Sequence, residues 1–242
     1  MRTLVVPTLI PTTRDGEPDW DATRRYALLA ADTWIDRFLL NGSTARGDEL
    51  AADKRAQVLD LWADIVGPKR LLACCWNPED IVQAGGRQIT PMVVLAGMDH
   101  TQSLEFLASL PADATIYSHP MFNSAGFGAE LAHAAVEAGC LPAGGKLAKI
   151  RPQQIEEIHR VAPAFRTWDG SSRHIARSVE AGADGVVATP LTASLSSCVS
   201  PRSIEQVQSL VDPIQAHLDR LPDRPARTRY LLDLLDVELG SR

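Results

Sequence analysis

Residues 58–96 read VLDLWADIVGPKRLLACCWNPEDIVQAGGRQITPMVVLA and contain the pattern that decides the fold. An amphipathic run ends at Gly67-Pro68, a pair that stops a helix, and the apolar run 71–76 follows it. A short helix interrupted by glycines, 78–88, then leads to a second apolar run at 91–96. Short apolar runs separated by amphipathic ones predict buried parallel strands that are joined by helices.

The same unit recurs along the whole chain of 242 residues. Eight strand–helix units fit a (β/α)8 barrel, for which about 250 residues is usual. An open doubly wound sheet normally has a glycine-rich turn after its first strand, and none follows Ile10. We therefore predict an α/β fold, a TIM barrel over residues 1–222 with a C-terminal helix in 223–242 packed on it. The predicted strands are 4–10, 38–41, 71–76, 91–96, 114–118, 144–148, 165–168 and 184–189.

Composition narrows the class of protein. Hydrophobic residues make up 45% and charged residues 22%, values typical of a soluble globular protein. A net charge of −6 argues against nucleic acid or an anionic membrane as a partner, because both attract a basic face. No signal peptide or membrane-spanning run is evident, which predicts a cytoplasmic protein. The four cysteines and six histidines lack the spacing of metal ligands, so neither a metal nor a cofactor is predicted.

Basic charge is carried by twenty arginines and only four lysines. One of them, Lys146, stands among small and apolar residues in Ala143-Gly144-Gly145-Lys146-Leu147-Ala148, on the predicted sixth strand. A buried lysine, unlike an arginine, can lose its proton and become a nucleophile. The alternative is a lysine whose buried stem carries its ammonium out to water. Lys149 is expected on the opposite side of the strand.

Two further stretches follow predicted strands at the barrel end where active sites lie. After the second strand, Gly42-Ser43-Thr44 offers hydroxyls and backbone N–H groups that can hold a carboxylate, although a simple loop and helix cap is the alternative. At the end of the fifth strand, Tyr117 can pass protons, although a core tyrosine is the alternative. Nearby His119 precedes Pro120 and receives no role.

The order of these features resembles the dihydrodipicolinate synthase/N-acetylneuraminate lyase family of pyruvate-dependent class I aldolases. Its G-[ST]-T-G-E loop, Y-N-x-P segment and G-x-K strand are similar to Gly42-Ser43-Thr44, Tyr117-Ser118-His119-Pro120 and Gly144-Gly145-Lys146. The stretch 50–55, LAADKR, is similar to its L-S-x-x-E-R helix start. The resemblance covers about residues 4–200 and indicates a shortened, divergent member.

The resemblance implies a role for each matching residue. Lys146 would form an imine with a 2-oxo acid such as pyruvate, and Tyr117 would shuttle protons. Ser43 and Thr44 would bind the carboxylate, with Thr44 also relaying protons to Tyr117. The remaining substrate-binding positions, expected to shape the loop, floor and wall of the pocket, are Gly42, Gly145 and Ala188. The implied partners are a 2-oxo acid and an aldehyde-type acceptor, in a homo-oligomer.

The chain also departs from the family pattern. Ala45-Arg46 replaces Gly-Glu, which predicts a loop aimed differently or a cation at the mouth of the barrel. Met121-Phe122-Asn123 follows Pro120 where the family often has an arginine, which favours an apolar or neutral acceptor. The P-Y-Y motif that supplies a tyrosine across a subunit contact is absent.

Two other readings stay open at this point. The barrel could be a catalytically degraded relative that binds a keto acid or a partner protein without turnover. It could also be a sugar-phosphate isomerase, for which Asp169-Gly170-Ser171-Ser172 is a thin version of the glycine-rich phosphate turn, or a metal-dependent aldolase.

Overall fold

The strands of the computed structural model, which describes residues 2–122 and 126–240, form one closed parallel barrel. Each strand pairs with the next along the chain, and the last returns to the first through Leu4 and Val186. This closure confirms the predicted TIM barrel. The strands are β1 Thr3–Pro7, β2 Arg37–Leu40, β3 Leu71–Cys75, β4 Thr90–Val94, β5 Thr115–Ser118, β6 Gly144–Leu147, β7 Arg166–Asp169 and β8 Gly185–Val187.

Helices surround the barrel, and side chains cap several of them. The carboxylate of Asp19 accepts the backbone N–H of Ala22 at 2.9 Å and caps the first helix. None of the helices in the described ranges has both the length and the apolar character that a membrane crossing needs. The helices are α1 Trp20–Ala31, α2 Ala52–Val66, α3 Pro78–Gly86, α4 His100–Ala108, α5 Ala129–Glu137, α6 Pro152–Val161, α7 Ile175–Glu180, α8 Val207–Leu218 and α9 Arg224–Glu238.

The first strand is shorter than predicted. It ends at Pro7, whereas the apolar run continues through Leu9 and Ile10. Both side chains are buried among residues of the surrounding helices, so their hydrophobicity reflects the outer core and not a longer strand. The C-terminal helix also has a specific place, because Thr228 of α9 donates a hydrogen bond to the carbonyl of Thr44 at the end of β2.

One amine, that of Lys146, lies among the mostly apolar side chains of the barrel interior. Side chains alternate between the two faces of each strand. Lys146 is the residue that the middle of β6 directs to the interior, in register with Tyr117 on one side and Trp168 on the other. The remaining interior cluster consists of Val5, Leu39, Leu72, Cys74, Met92, Val94, Tyr117, Trp168 and Val187.

Candidate active site

Lys146 is enclosed by the barrel wall. Its side chain is 4% exposed, and its Nζ atom lies 4.0 Å from the centroid of the Tyr117 ring. Among the described residues, none of the ion pairs includes Lys146. The amine thus faces an aromatic ring in place of a carboxylate.

A hydrogen bond connects Tyr117 to the loop after β2. The Tyr117 hydroxyl lies 3.0 Å from the Oγ atom of Ser43, and both groups are buried. The hydroxyl of this loop that contacts Tyr117 is therefore that of Ser43, whereas the relay was expected through Thr44. Thr44 lines the same cavity, and its carbonyl is held by Thr228.

The loop after β2 has a fixed shape because its chain reverses within a few residues. Asn41 takes a left-handed conformation with φ 55°, which asparagine tolerates, and a 3₁₀ turn follows at Ser43–Ala45. The backbone N–H groups of Ser43 and Thr44 have no acceptor among the described residues. These two N–H groups consequently remain able to bind an anionic group, next to the Ser43 hydroxyl that is bonded to Tyr117.

A buried ion pair between Arg55 and Asp80 stabilises the loop after β2. The Nε of Arg55 donates to Asp80 at 2.9 Å, and its guanidinium also donates to the carbonyl of Leu50. The carbonyl of Arg55 accepts the side-chain amide of Asn41 at 3.1 Å. Arg55 is the arginine of the stretch that resembles the L-S-x-x-E-R helix start. This stretch therefore stabilises the loop after β2 through the contacts of Arg55.

Gly47 closes the loop at a point where no side chain fits. A Cβ atom there would lie 1.9 Å from the carbonyl oxygen of Asn41. We expect Gly47→Ala to displace the loop and to lower the free energy of unfolding by about 1–3 kcal/mol. Gly85→Ala is a matched control, since a Cβ atom at this position in α3 has open space and favours the helix. Urea unfolding of the two variants checks this; equal stability of both would contradict it.

Three predicted binding residues do not line the cavity. The carbonyl of Gly42 accepts hydrogen bonds from the backbone N–H groups of Ala45 and Gly47, so Gly42 stabilises the turn of the loop. Gly145 faces away from the interior, where a Cβ atom would lie 2.5 Å from Ile116 Cγ1. The Ala188 side chain is buried in the outer core, and the neighbouring Thr189 lines the cavity instead.

The second lysine of this region does not lie where it was expected. Strand β6 ends at Leu147, and Lys149 follows in a left-handed turn with φ 58°. This turn brings Lys149 to the same cavity as Lys146, although its side chain is exposed. The expectation of opposite sides was wrong because strand alternation no longer applies beyond Leu147. Arg46, for which either a differently aimed loop or a cation at the mouth was expected, pairs with Glu49 and does not line the cavity.

His119 is a site residue that sequence reasoning left without a role. It lines the cavity, and burial, followed by the nearby charges of Lys146 and Lys149, lowers its pKa to about 4. The backbone N–H of Met121 donates to its Nδ1 atom at 2.9 Å. The neutral ring therefore carries its proton on Nε2 and presents a donor. Asn123, named with Met121 in the sequence, lies outside the described residues.

The lowered pKa of His119 predicts a pH dependence of stability. In the unfolded chain an ordinary histidine takes up a proton near pH 6.5, whereas the folded protein takes it up only near pH 4. The unfolded state is therefore favoured progressively as the pH falls from about 6.5 towards 4. We expect the melting temperature of His119→Asn to fall less between pH 7.5 and pH 5 than that of the original protein. His133→Asn, at an exposed position of α5, is the control; identical pH profiles for His119→Asn and the original would refute the interpretation.

The cavity at this end of the barrel has a volume of about 370 Å³. That volume is within the usual range for small-molecule sites. Burial raises the pKa of the Cys74 thiol, whose side chain also faces the interior, well above its usual value, so the thiol is not a competing nucleophile. Within the described ranges, no group of three or more histidine, cysteine or acidic residues is placed to hold a metal ion.

A second cavity, of about 600 Å³, opens near the beginnings of β1 and β2. Its charged residues include Arg2 and Glu205, which pair with each other at 2.9 Å, and none of its described lining residues is a lysine. This end of a TIM barrel is the one associated with stability. The cavity at the Lys146 end is therefore the candidate active site.

Solved structures similar to this one share its architecture over almost the whole chain. A 2-keto-3-deoxygluconate aldolase from Picrophilus torridus has a TM-score of 0.80 at 18% identity, covering 96% of this chain and 93% of that one. Dihydrodipicolinate synthase from Agrobacterium tumefaciens matches with a TM-score of 0.80 at 17% identity, covering 99% of this chain and 89% of that one. The chain has the dihydrodipicolinate synthase fold.

Dihydrodipicolinate synthase from Thermotoga maritima matches with a TM-score of 0.76 at 15% identity, covering 99% of this chain and 99% of that one. No family model and no curated protein matches the sequence. The similarity to the dihydrodipicolinate synthase structures is therefore one of backbone fold, and the function of this chain depends on its own side chains.

Proposed function

We propose that this protein is a class I aldolase or lyase that forms an imine between Lys146 and pyruvate or a related 2-oxo acid. The observation that carries the proposal is the buried Lys146 amine, 4.0 Å from the Tyr117 ring at the wall of a cavity in a closed barrel. The solved structures of similar fold include aldolases and synthases, which supports this general kind of activity.

The reaction begins with attack of Nζ on the keto carbon of the 2-oxo acid. The resulting carbinolamine loses water to give an imine, and the protonated imine accepts electrons when the adjacent carbon loses a proton. The enamine carbon then attacks the carbonyl carbon of an aldehyde-type acceptor, and the new alkoxide takes up a proton. Water hydrolyses the imine and releases the product; cleavage follows the same steps in reverse.

Tyr117 and the loop after β2 supply the remaining functions. The Tyr117 hydroxyl, bonded to Ser43, transfers protons during dehydration of the carbinolamine and at the oxygen of the acceptor. The N–H groups and hydroxyls of Ser43 and Thr44 bind the carboxylate of the 2-oxo acid and orient its keto carbon towards the amine. Neither role requires a metal or an organic cofactor.

Borohydride trapping tests the proposal. The protein is incubated with pyruvate, 2-oxobutyrate or 2-oxoglutarate, reduced with sodium borohydride and weighed by intact-protein mass spectrometry. We expect one covalent adduct per chain with at least one of these acids and none in samples without a 2-oxo acid. Binding of a 2-oxo acid without a reducible adduct would favour the alternative, a relative that has kept the pocket and lost turnover.

A further inference from the structure

The cavity contains an excess of positive charge that the lysine reaction does not use. In addition to Lys146, four basic side chains line it, whereas none of the lining residues that the structure describes is an aspartate or glutamate. The chain as a whole has more acidic than basic residues, 30 against 24, so this excess is local and opposite to the overall charge. The four additional basic residues are Lys149, Arg173, Arg224 and Arg227.

Helix α9 contributes one wall of the cavity with a single face. Arg224, Arg227, Thr228 and Leu231 follow the spacing of one helical face, and all four line the cavity. The hydrogen bond from Thr228 to Thr44 and the ion pairs of Arg224 with Asp48 and Glu49 fix this face against the loop after β2. The C-terminal helix therefore forms part of the substrate cavity.

Two of the four cations have no acidic partner among the described residues. Arg224 pairs with Asp48 and Glu49, and Arg173 pairs with Asp219, so their charges are partly compensated. Lys149 takes part in no ion pair, and the hydrogen bond of Arg227 goes to a carbonyl, that of Leu221, at 3.4 Å. These two cations are available to an anionic ligand.

Two left-handed turns bring residues that follow β6 and β7 to the cavity. Lys149 and Ser172 both have left-handed conformations, with φ values of 58° and 56°, which ordinary side chains rarely adopt. Ser171, Ser172 and Arg173 follow β7, a position at which TIM barrels frequently bind phosphate. Gly170, between β7 and these residues, leaves the cavity open towards Lys146.

From these contacts we infer that the acceptor carries a terminal anionic group, a phosphate or a carboxylate, which Lys149 and Arg227 bind at the mouth of the cavity. Arg173, whose charge Asp219 partly compensates, lines the cavity beside them and adds to this anion subsite. The identification of this ligand as the acceptor rests on the proposed function, whereas the anion subsite itself does not depend on imine formation. It replaces the expectation of an apolar or neutral acceptor, which rested on the missing arginine after Pro120.

The first test needs no turnover and uses inorganic phosphate and succinate as probes. We expect calorimetry to detect saturable binding of at least one probe, with the affinity lowered about 10–100-fold in Lys149→Gln and in Arg227→Gln, the scale of a lost hydrogen bond to a charged group. Arg229→Gln is the control, since Arg229 is exposed on α9 and does not line the cavity. Preference for phosphate or for succinate identifies the anionic group. Absence of binding, or equal affinities in all variants, would overturn the inference.

The second test compares acceptors in the presence of pyruvate. Glyceraldehyde 3-phosphate and succinic semialdehyde carry the two anionic groups, and glyceraldehyde carries none. We expect the ratio of kcat/KM for an anionic acceptor to that for glyceraldehyde to fall about 10–100-fold in Arg227→Gln. A ratio that does not change would contradict the subsite. Probe binding without a pyruvate adduct would instead refute the lysine chemistry and leave the anion subsite in place.

Discussion

Replacement of Lys146 by alanine is expected to abolish the borohydride-stable adduct and to lower turnover by about 10⁴-fold or more, the scale of losing a covalent nucleophile. The reason is that no second amine is directed into the barrel interior among the described residues. The substitution removes a buried polar group from an apolar cluster, so we expect the fold to persist, as far-ultraviolet circular dichroism would verify.

Two lysine variants serve as controls for this result. Lys149→Ala removes the other amine of the cavity and should retain the trapped adduct, because that amine lies outside the interior. Lys69→Ala removes an exposed lysine beyond the opposite end of β3. An adduct that survives in Lys146→Ala and is lost in Lys149→Ala would assign the reaction to Lys149 and contradict our account.

The second large effect is expected for Tyr117→Phe. The phenyl ring keeps the contact with the Lys146 amine and loses the hydroxyl that bonds to Ser43. Turnover should slow about 10²–10⁴-fold, the usual contribution of an acid–base group, while the adduct still accumulates on long incubation.

Tyr26→Phe is the matched control for this substitution. Its hydroxyl, buried in the outer core, donates to the carbonyl of Thr192 at 2.7 Å, and Tyr26 does not line the Lys146 cavity. It should cost about 0.5–1.5 kcal/mol of stability and leave turnover unchanged. Similar losses of turnover in both variants would point to a structural effect and not to proton transfer.

The barrel and its central residues were predictable because they depend on local patterns. Apolar runs with the stops between them predicted eight strands, and the rarity of lysine singled out Lys146. The match of Tyr117 and Lys146 to neighbouring strands followed from the order of β5 and β6, since consecutive strands of a barrel pair. The homo-oligomer and the cytoplasmic location stay predictions.

Other features of the site depend on geometry that no local pattern contains. The contact of Tyr117 with Ser43 in place of Thr44 follows from the 3₁₀ turn after the left-handed Asn41. The position of Lys149 depends on where β6 ends. The placement of Arg227 at the cavity requires α9 to dock on a loop about 180 residues earlier in the chain, through Thr228. Such contacts arise only once the barrel has closed.

The most direct measurement of the central claim is peptide mapping after reduction with borohydride in the presence of pyruvate. Our account predicts a single modified peptide, with the reduced pyruvate imine on the side chain of Lys146. Modification of Lys54, Lys69 or Lys149 with Lys146 unmodified, or no modified lysine with any 2-oxo acid, would contradict it.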